Sequence, residues 1–234
     1  MKRNYSSAVD VMTLSGVIQS WDKSSFGLLT GNAEIYHLAH VWIAVLIARG
    51  FRVHVIDCAI RFNVYRVIEE ANSQGVELQS FLDTGVVRRA FTPYQILDVC
   101  REILTTKRNP NDIYFILAPS KQFFDGDVKE AEGYFLLLKL ISVFEKIQIN
   151  QIPFLAVESR KYKHKTFQFL FPELLKMAGS IWDYNKLPLG KEMIRCFDIT
   201  YKNSLFGNRN FRLEIGGNNG TNGDALFYGS RSDK

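Results

Sequence analysis

Short apolar runs alternate with longer, mostly apolar segments through the first two thirds of the chain. Runs rich in β-branched and aromatic residues predict strands: Phe26–Thr30, Arg52–Asp57, Val86–Phe91, Ile113–Ala118 and Pro153–Val157. The segments between them predict helices: Glu34–Arg49, Tyr65–Ser73, Pro93 (capped by Thr92) to about Thr106, and Val128–Gln148. Because strands that alternate with helices form βαβ units, this order predicts an α/β fold, a mostly parallel twisted sheet with helices on both faces.

The alternating pattern changes after Gly179. Ile194–Tyr201 and Asn210–Ile215 predict two further strands. The turn residues Phe206–Arg209 lie between them, so these strands are expected to give the sheet an antiparallel C-terminal end.

The two ends of the chain differ from the region between them. Residues 1–25 are mixed in character and predict a short N-terminal extension. Residues 216–234 are rich in Gly and Asn and predict a flexible tail. Residues 26–215 are therefore expected to form one core domain.

Composition narrows the classes of protein that the chain can represent. At 234 residues and 47% hydrophobic it can bury a sizeable core, and its net charge of +5 suggests a polyanionic partner. The three cysteines, Cys58, Cys100 and Cys196, lie far apart in apolar stretches, which favours buried free thiols in a reducing cytosol. The apolar stretch Leu38–Ala48 is too short, and too interrupted by His40, to span a bilayer. We therefore expect a cytoplasmic protein, or a nuclear one if the source is eukaryotic, with no membrane partner.

The junction between the first strand and the first helix has the spacing of a phosphate-binding loop but lacks its residues. Such a loop reads G-x-x-x-x-G-K-[ST], because glycines expose backbone N–H groups to the phosphates, Lys reaches the β/γ-phosphates and the hydroxyl holds Mg²⁺. Here Gly31 is present, but Tyr36, His37 and Leu38 replace the second glycine, the lysine and the hydroxyl residue. A tyrosine side chain would crowd the phosphate pocket, and leucine offers no metal ligand.

Four further segments follow this junction in an order that resembles the ATPase core of RecA-like recombinases, especially the archaeal RadA branch and the eukaryotic recombinase paralogues. VIDCAIRFNVYRV (Val55–Val67) is the most specific, since it is similar to the family's V-I-D-T-E-G-x-F-x-x-E-R-[LI] segment. The others are RRAFTPYQILDVCREI, IYFILAPSK and PFLAVESRK. The resemblance covers roughly residues 26–185 and implies a RecA-like sheet.

The resemblance also implies where the acids of an ATPase site would lie. The glutamate that polarises the attacking water falls at Ala59, two residues after Asp57, and the Walker B aspartate falls at Ala118. Phosphoryl transfer depends on positioned charge. With these groups missing, we expect a degenerate site, no catalytic residues, no cofactor and no ATP hydrolysis. Anion binding by Gly31 and the helix N-terminus stays an open alternative.

The segment ESRKYKHKTFQF, residues 158–169, is the best candidate for binding a partner. It contains the predicted nucleic-acid-binding residues Arg160, Lys161, Tyr162, Lys163, His164 and Lys165. Cations neutralise phosphates, and an aromatic ring can stack on an unpaired base. The resemblance places the family's second DNA-contacting loop here. The alternative interpretation is an ordinary solvated basic loop.

The charge distribution favours the first of these interpretations. From Arg160 to Arg212 the chain has eleven Lys or Arg residues and four acids, a difference of +7 that exceeds the net charge of the whole protein, +5. Such an asymmetry is typical of an electrostatic binding surface.

His37, His40 and Asp57 are the nearest approach to a metal or acid–base cluster in the sequence. The two histidines lie three residues apart on one predicted helix, but no third ligand follows at a known spacing. The pattern therefore favours histidines without a metal.

Taken together, the residues and the resemblance predict a non-catalytic recombinase paralogue. We expect it to bind single-stranded or branched DNA, and to associate with itself or with an active RecA-family recombinase in recombination or repair. Two alternatives remain: a scaffold that contacts proteins alone, and a regulatory domain that binds ATP without hydrolysing it.

Overall fold

A computed structural model describes residues 18, 21–24, 26–31, 34–73 and 85–186, together with the strand backbones 195–203, 207–215 and 226–230. The strands that carry the candidate site are β1 (Gly27–Gly31), β2 (Arg52–Asp57), β3 (Gly85–Arg89), β4 (Asp112–Leu117), β5 (Phe154–Ser159) and β6 (Ser180–Lys186). The helices are α1 (Ile35–Ala48), α2 (Val64–Ser73), α3 (Pro93–Thr105), α4 (Glu130–Ile149) and α5 (Lys165–Met177), with a short 3₁₀ turn at Lys121–Phe124.

These six strands form a parallel sheet in the order β3-β2-β4-β5-β1-β6. The predicted α/β class and the parallel arrangement are confirmed. Beyond β6 the described backbone continues the sheet with β7 (Arg195–Asn203), β8 (Gly207–Ile215) and β9 (Leu226–Ser230). The register pairs each of these strands antiparallel with the one before it.

The central strands supply side chains to a core on each face of the sheet. In β4, Phe115 and Leu117 pack on the side covered by α1 and α2, whereas Tyr114 and Ile116 pack on the side covered by α3, α4 and α5. Strands buried on both faces need apolar residues at nearly every position, which is why β4 reads as a continuous apolar run. Helices therefore cover both faces, as predicted.

Local sequence signals place several element boundaries correctly. Thr92 precedes α3, and its hydroxyl accepts a hydrogen bond from the Gln95 N–H, while Pro93 occupies the first helical position.

The predicted free thiols are confirmed for Cys58 and Cys100, which are buried. The side chain of Cys196 lies outside the described residues. Within the described part of the chain, no helix is long and apolar enough to cross a membrane.

One α-helix and one strand of the parallel sheet were missed by the sequence analysis. Helix α5 begins at Lys165, so the predicted basic loop 158–169 is divided among β5, a short connection and a helix. Pro172 lies inside this helix and, together with the basic residues before it, weakens the helical pattern. Strand β6 was missed because the polar residues Asp183 and Asn185 interrupt its apolar pattern.

The predicted domain boundaries fall mainly in parts of the chain that the structure does not describe. Most of the N-terminal extension 1–25 and most of the predicted tail 216–234 lie outside the described residues. Strand β9 falls within that predicted tail. Its apolar residues Leu226, Phe227 and Tyr228 were outweighed in the prediction by the surrounding glycines and asparagines.

Candidate functional site at the carboxyl edge of the sheet

The carboxyl ends of the parallel strands meet at one edge of the sheet and bring together the residues predicted for the degenerate site. Gly31 ends β1, Asp57 ends β2, and Ala118 directly follows β4. In open α/β sheets, ligands bind in the crevice outside this edge. A ligand-binding site in this protein is therefore expected at this edge.

Gly31 is fixed by a close approach of backbones. Its φ is 144°, and a Cβ atom added there would lie 2.0 Å from the carbonyl oxygen of Tyr184 in the adjacent strand β6. Its own carbonyl oxygen accepts a hydrogen bond from the Arg160 N–H at 2.9 Å. Any side chain at position 31 would therefore separate β1 from β6, which gives this glycine a packing role independent of phosphate binding.

Tyr36, at the position of the second loop glycine, is buried in the first turn of α1. The Arg61 guanidinium carbon lies 5.2 Å from the centre of its ring. Its hydroxyl is buried and forms no hydrogen bond of acceptable geometry with a described residue, although the Tyr162 phenol lies nearby. Burial, reinforced by the charge of Glu158, raises the pKa of Tyr36 well above its usual range. An aromatic side chain is thus packed inside the protein at the position where the sequence analysis placed the second loop glycine.

His37 and His40 occupy different environments. His37 is exposed, and its Nδ1 lies 3.2 Å from Nη1 of Arg66. His40 is buried, and its Nε2 accepts a hydrogen bond from the Asn63 N–H at 3.0 Å. Burial lowers the pKa of His40 to about 4, so its ring is neutral at pH 7. Among the described residues, no group of His, Cys, Asp or Glu could hold a metal ion.

Asp57 organises the loop that follows β2. Its buried carboxylate accepts hydrogen bonds from the backbone N–H groups of Ala59, Arg61 and Phe62, at 3.3, 2.8 and 3.2 Å. The Nε of Arg89, at the end of β3, lies 4.0 Å from the same carboxylate. Since both oxygens already accept bonds from this loop, the role that the structure gives Asp57 is to position residues 59–62.

Ala118 and Glu158 stand next to each other where β4 and β5 end. Ala118 has a φ of 51°, and its N–H donates to the carbonyl oxygen of Val157. The fully buried Glu158 accepts hydrogen bonds at 3.0 Å from the N–H groups of Ser120 and Ser159. Desolvation raises the pKa of Glu158 from 4.5 to about 7, against the opposing effect of these bonds.

Tyr36, Arg61, Glu158 and Tyr162 form what we call the inner polar cluster. Each of these side chains perturbs the pKa of at least one other member. Burial raises the pKa of Tyr162, and Arg61 opposes that effect. The sequence analysis did not single out Glu158 or Arg61. An acid that ends an otherwise apolar strand was the one available signal for Glu158.

A cleft of about 810 Å³ lies beside the inner polar cluster. Three arginines line it: Arg61, Arg66 and Arg89. Ile60, also in the lining, is 70% exposed and has a φ of 54°, a conformation that a β-branched side chain rarely adopts. The cleft therefore combines a cationic wall with an exposed apolar rim.

The predicted nucleic-acid-binding residues follow β5 at the same edge of the sheet. The Arg160 guanidinium pairs with Asp183 at 2.5 Å. Lys161, Lys163 and Lys165 are exposed and form no ion pair with a residue of the described chain. We call Arg160–Lys165 the basic segment.

Tyr162 and His164 in the basic segment are used for packing. The half-buried Tyr162 ring lies 5.1 Å from that of Phe124 and 5.2 Å from that of Phe167. The His164 ring stacks on Phe124 at 5.2 Å, and its Nδ1 caps α5 by accepting the Thr166 N–H. Phe123, beside Phe124 in the 3₁₀ turn, is fully buried. Among the described residues, therefore, the lysines are the side chains of the segment that are not used in packing or ion pairs.

The chain matches no protein-family model. A search of curated proteins also finds no significant match. The fold and the site therefore define the class as an α/β protein with a parallel sheet. At the carboxyl edge of that sheet it has the inner polar cluster, flanked by the cations of the cleft and of the basic segment.

Proposed function

We propose that this chain is a RecA-like binding subunit without phosphoryl-transfer chemistry. In this proposal it binds single-stranded or branched DNA through the basic segment. It also associates with itself or with an active RecA-family recombinase, in recombination or repair. The single observation that carries the proposal is the set of three exposed lysines at the carboxyl edge of the sheet that form no ion pair within the described part of the chain.

The inner polar cluster supports the non-catalytic part of the proposal. Phosphoryl transfer needs space for the phosphates and charged groups aimed at them. At the corresponding positions the chain has the buried Tyr36, the buried Leu38, and alanines at 59 and 118. The parallel strand order is compatible with a RecA-like fold, in which these positions would surround the nucleotide.

The charge at this edge supports the DNA-binding part. Three acids at this edge are engaged within the protein: Asp57 with the loop after β2, Glu158 with two backbone N–H groups, and Asp183 with Arg160. Lysines without such partners can neutralise phosphates and release counterions. The basic segment therefore presents the positive charges of Lys161, Lys163 and Lys165 to solvent.

The test replaces Lys161, Lys163 and Lys165 together by Ala. We expect weaker binding of a labelled single strand, and a salt dependence (log K against log salt) shallower by about 2, since each phosphate contact on a single strand contributes about 0.7. Fluorescence anisotropy across a salt series measures both quantities.

A matched control removes three cations at the opposite edge of the sheet. Lys107 and Arg108 precede β4, and Lys146 lies in the last turn of α4; all three are exposed. Their replacement by Ala changes the net charge equally but is expected to leave the salt slope unchanged. Equal losses in both variants would mean that net charge alone attracts DNA. If the unaltered protein bound neither single-stranded nor branched DNA but captured the active recombinase, the protein-only scaffold would replace the proposal.

A further inference from the structure

A groove between α4 and α5 opens beside the basic segment. It has a volume of about 580 Å³ and is lined by Glu130, Ala131, Tyr134, Lys165, Thr166 and Phe169. Tyr134 and Phe169 are 40% and 38% exposed, and their ring centres lie 4.7 Å apart at an angle of 53°. We call this surface the aromatic groove.

The aromatic groove offers accessible aromatic rings, which the basic segment itself lacks. Stacking by a nucleic-acid base needs a ring with an accessible face, and the Tyr162 ring is packed against Phe124 and Phe167. Tyr134 and Phe169 are exposed aromatic residues in direct continuity with the segment, because Lys165 belongs to both.

We propose that the aromatic groove stacks the unpaired bases of a single-stranded nucleic acid whose phosphates contact the basic segment. This inference rests on the proposed function and adds to it the part of the surface that recognises unpaired bases. Lys165 and Phe169 are four residues apart on α5 and so lie on one face of the helix, about 6 Å apart along its axis. A cation and a ring on one helical face can engage the phosphate and the base of a short stretch of one strand.

The charges around the groove favour this occupant. Lys165 borders it, and Lys161 and Lys163 extend the positive charge along the connection from β5. Glu130 also lines the groove and disfavours a phosphate inside it, so the backbone is expected on the lysine side with the bases turned towards the rings. Glu132, two residues after Glu130 on α4, accepts a hydrogen bond from the Tyr94 hydroxyl at 2.5 Å.

The geometry also selects single strands over duplex. In a duplex the faces of the bases are covered by their neighbours, whereas every unpaired base can offer a face to an aromatic side chain. The groove should therefore contribute to binding of single strands and of unpaired regions in branched DNA. It should contribute nothing to binding of blunt duplex.

The test compares Tyr134→Ala with Phe169→Ala, singly and together, in the full chain. Each replacement is expected to weaken single-strand binding roughly 5- to 150-fold, the range for loss of one stacked base. Duplex affinity and the salt slope should stay unchanged, because no phosphate contact is lost. An oligonucleotide containing 2-aminopurine should change fluorescence on binding to the unaltered protein and lose that change with the double variant.

Two controls separate stacking from general loss of structure. Phe135→Ala removes a neighbouring ring on α4 that is 54% exposed and lies outside the groove lining. Its single-strand affinity should be unchanged. Tyr134→Phe keeps the ring and should retain binding, whereas loss of binding in this variant would point to the hydroxyl and overturn stacking at that position.

The remaining outcomes distinguish this inference from the proposed function. If the triple lysine variant loses affinity but the aromatic variants do not, the groove assignment is wrong and the DNA-binding proposal stands. If the unaltered protein binds no DNA, both fail. If sedimentation shows a dimer that the aromatic variants dissociate while single-strand affinity is unchanged, a second copy of the chain occupies the groove.

Discussion

Glu158 makes a contribution to the stability of this protein that falls as pH rises, the opposite of what a carboxylate with a lowered pKa contributes. Its pKa is raised from 4.5 to about 7 in the folded state, chiefly by desolvation, because the side chain is fully buried. Between these two values the folded protein holds a proton that the unfolded chain has released. Stability contributed by the protonated form is therefore greatest below about pH 4.5, falls as pH rises, and is lost above about pH 7.

The magnitude follows from the size of the pKa change. A tenfold change in a proton dissociation constant corresponds to about 1.4 kcal/mol, so the shift from 4.5 to about 7 corresponds to about 3 kcal/mol. Glu158→Gln removes the titrating group while it keeps a similar volume and one acceptor oxygen. We expect the free energy of unfolding of this variant, relative to the unaltered protein, to rise by about 3 kcal/mol from about pH 4 to about pH 8.

Urea denaturation at several pH values measures this difference directly, and Glu69→Gln, an exposed position on α2, serves as the control. Subtracting the stability curve of the unaltered protein from that of Glu158→Gln cancels the contribution of every other titrating group that the variant leaves unaltered. A difference that stayed constant with pH would refute the reasoning. It would mean that the Ser120 and Ser159 N–H groups, with Arg61, stabilise the ionised form enough to cancel desolvation.

Two further predictions concern the residues that hold the carboxyl edge together. Gly31→Ala is expected to destabilise the protein by more than about 3 kcal/mol, because its Cβ would lie 2.0 Å from the Tyr184 carbonyl oxygen. Thermal denaturation measures this loss, and the control Gly126→Ala, where the space is open, should show little change. Equal effects of the two substitutions would show that β1 and β6 are not so closely apposed. Asp57→Ala is expected to cost about 2 to 4 kcal/mol, because buried backbone N–H groups lose their acceptor. Urea denaturation against exposed Asp98→Ala checks this, and a loss no greater than that of the control would contradict the role of Asp57 in the loop.

The sequence pattern predicted the strands whose residues are mostly buried and the helix whose start is marked by a capping residue. Strand β4 is buried between helices, so its sequence is apolar after Asp112, and half of the residues of β2 are β-branched; the bounds of both strands were predicted to within a residue. Helix α3 was found because Thr92 and Pro93 mark its start. Helix α5 and strand β6 were missed because each mixes polar residues or a proline with its apolar face.

The candidate site was harder to predict because its contacts join distant parts of the chain. Gly31 and Tyr36 could be located from the spacing of the strand and helix. The contact between Glu158 and the Ser120 N–H spans 38 residues and exists because β4 and β5 are neighbours in the sheet. The inward packing of Tyr162 likewise depends on the 3₁₀ turn that carries Phe124, and nothing in the local pattern indicates it.

The anchoring of Tyr162 has a consequence for how the basic segment would meet a partner. Fixing the backbone of a loop residue on binding costs about 1 to 2 kcal/mol in conformational entropy. Here the Tyr162 ring is already packed, and the Arg160 N–H is already bonded to Gly31. Lys161 and Lys163 therefore project from a backbone that is largely ordered before any ligand arrives. A flexible strand would adapt to this preorganised template, and the entropy lost on association would come mainly from the nucleic acid.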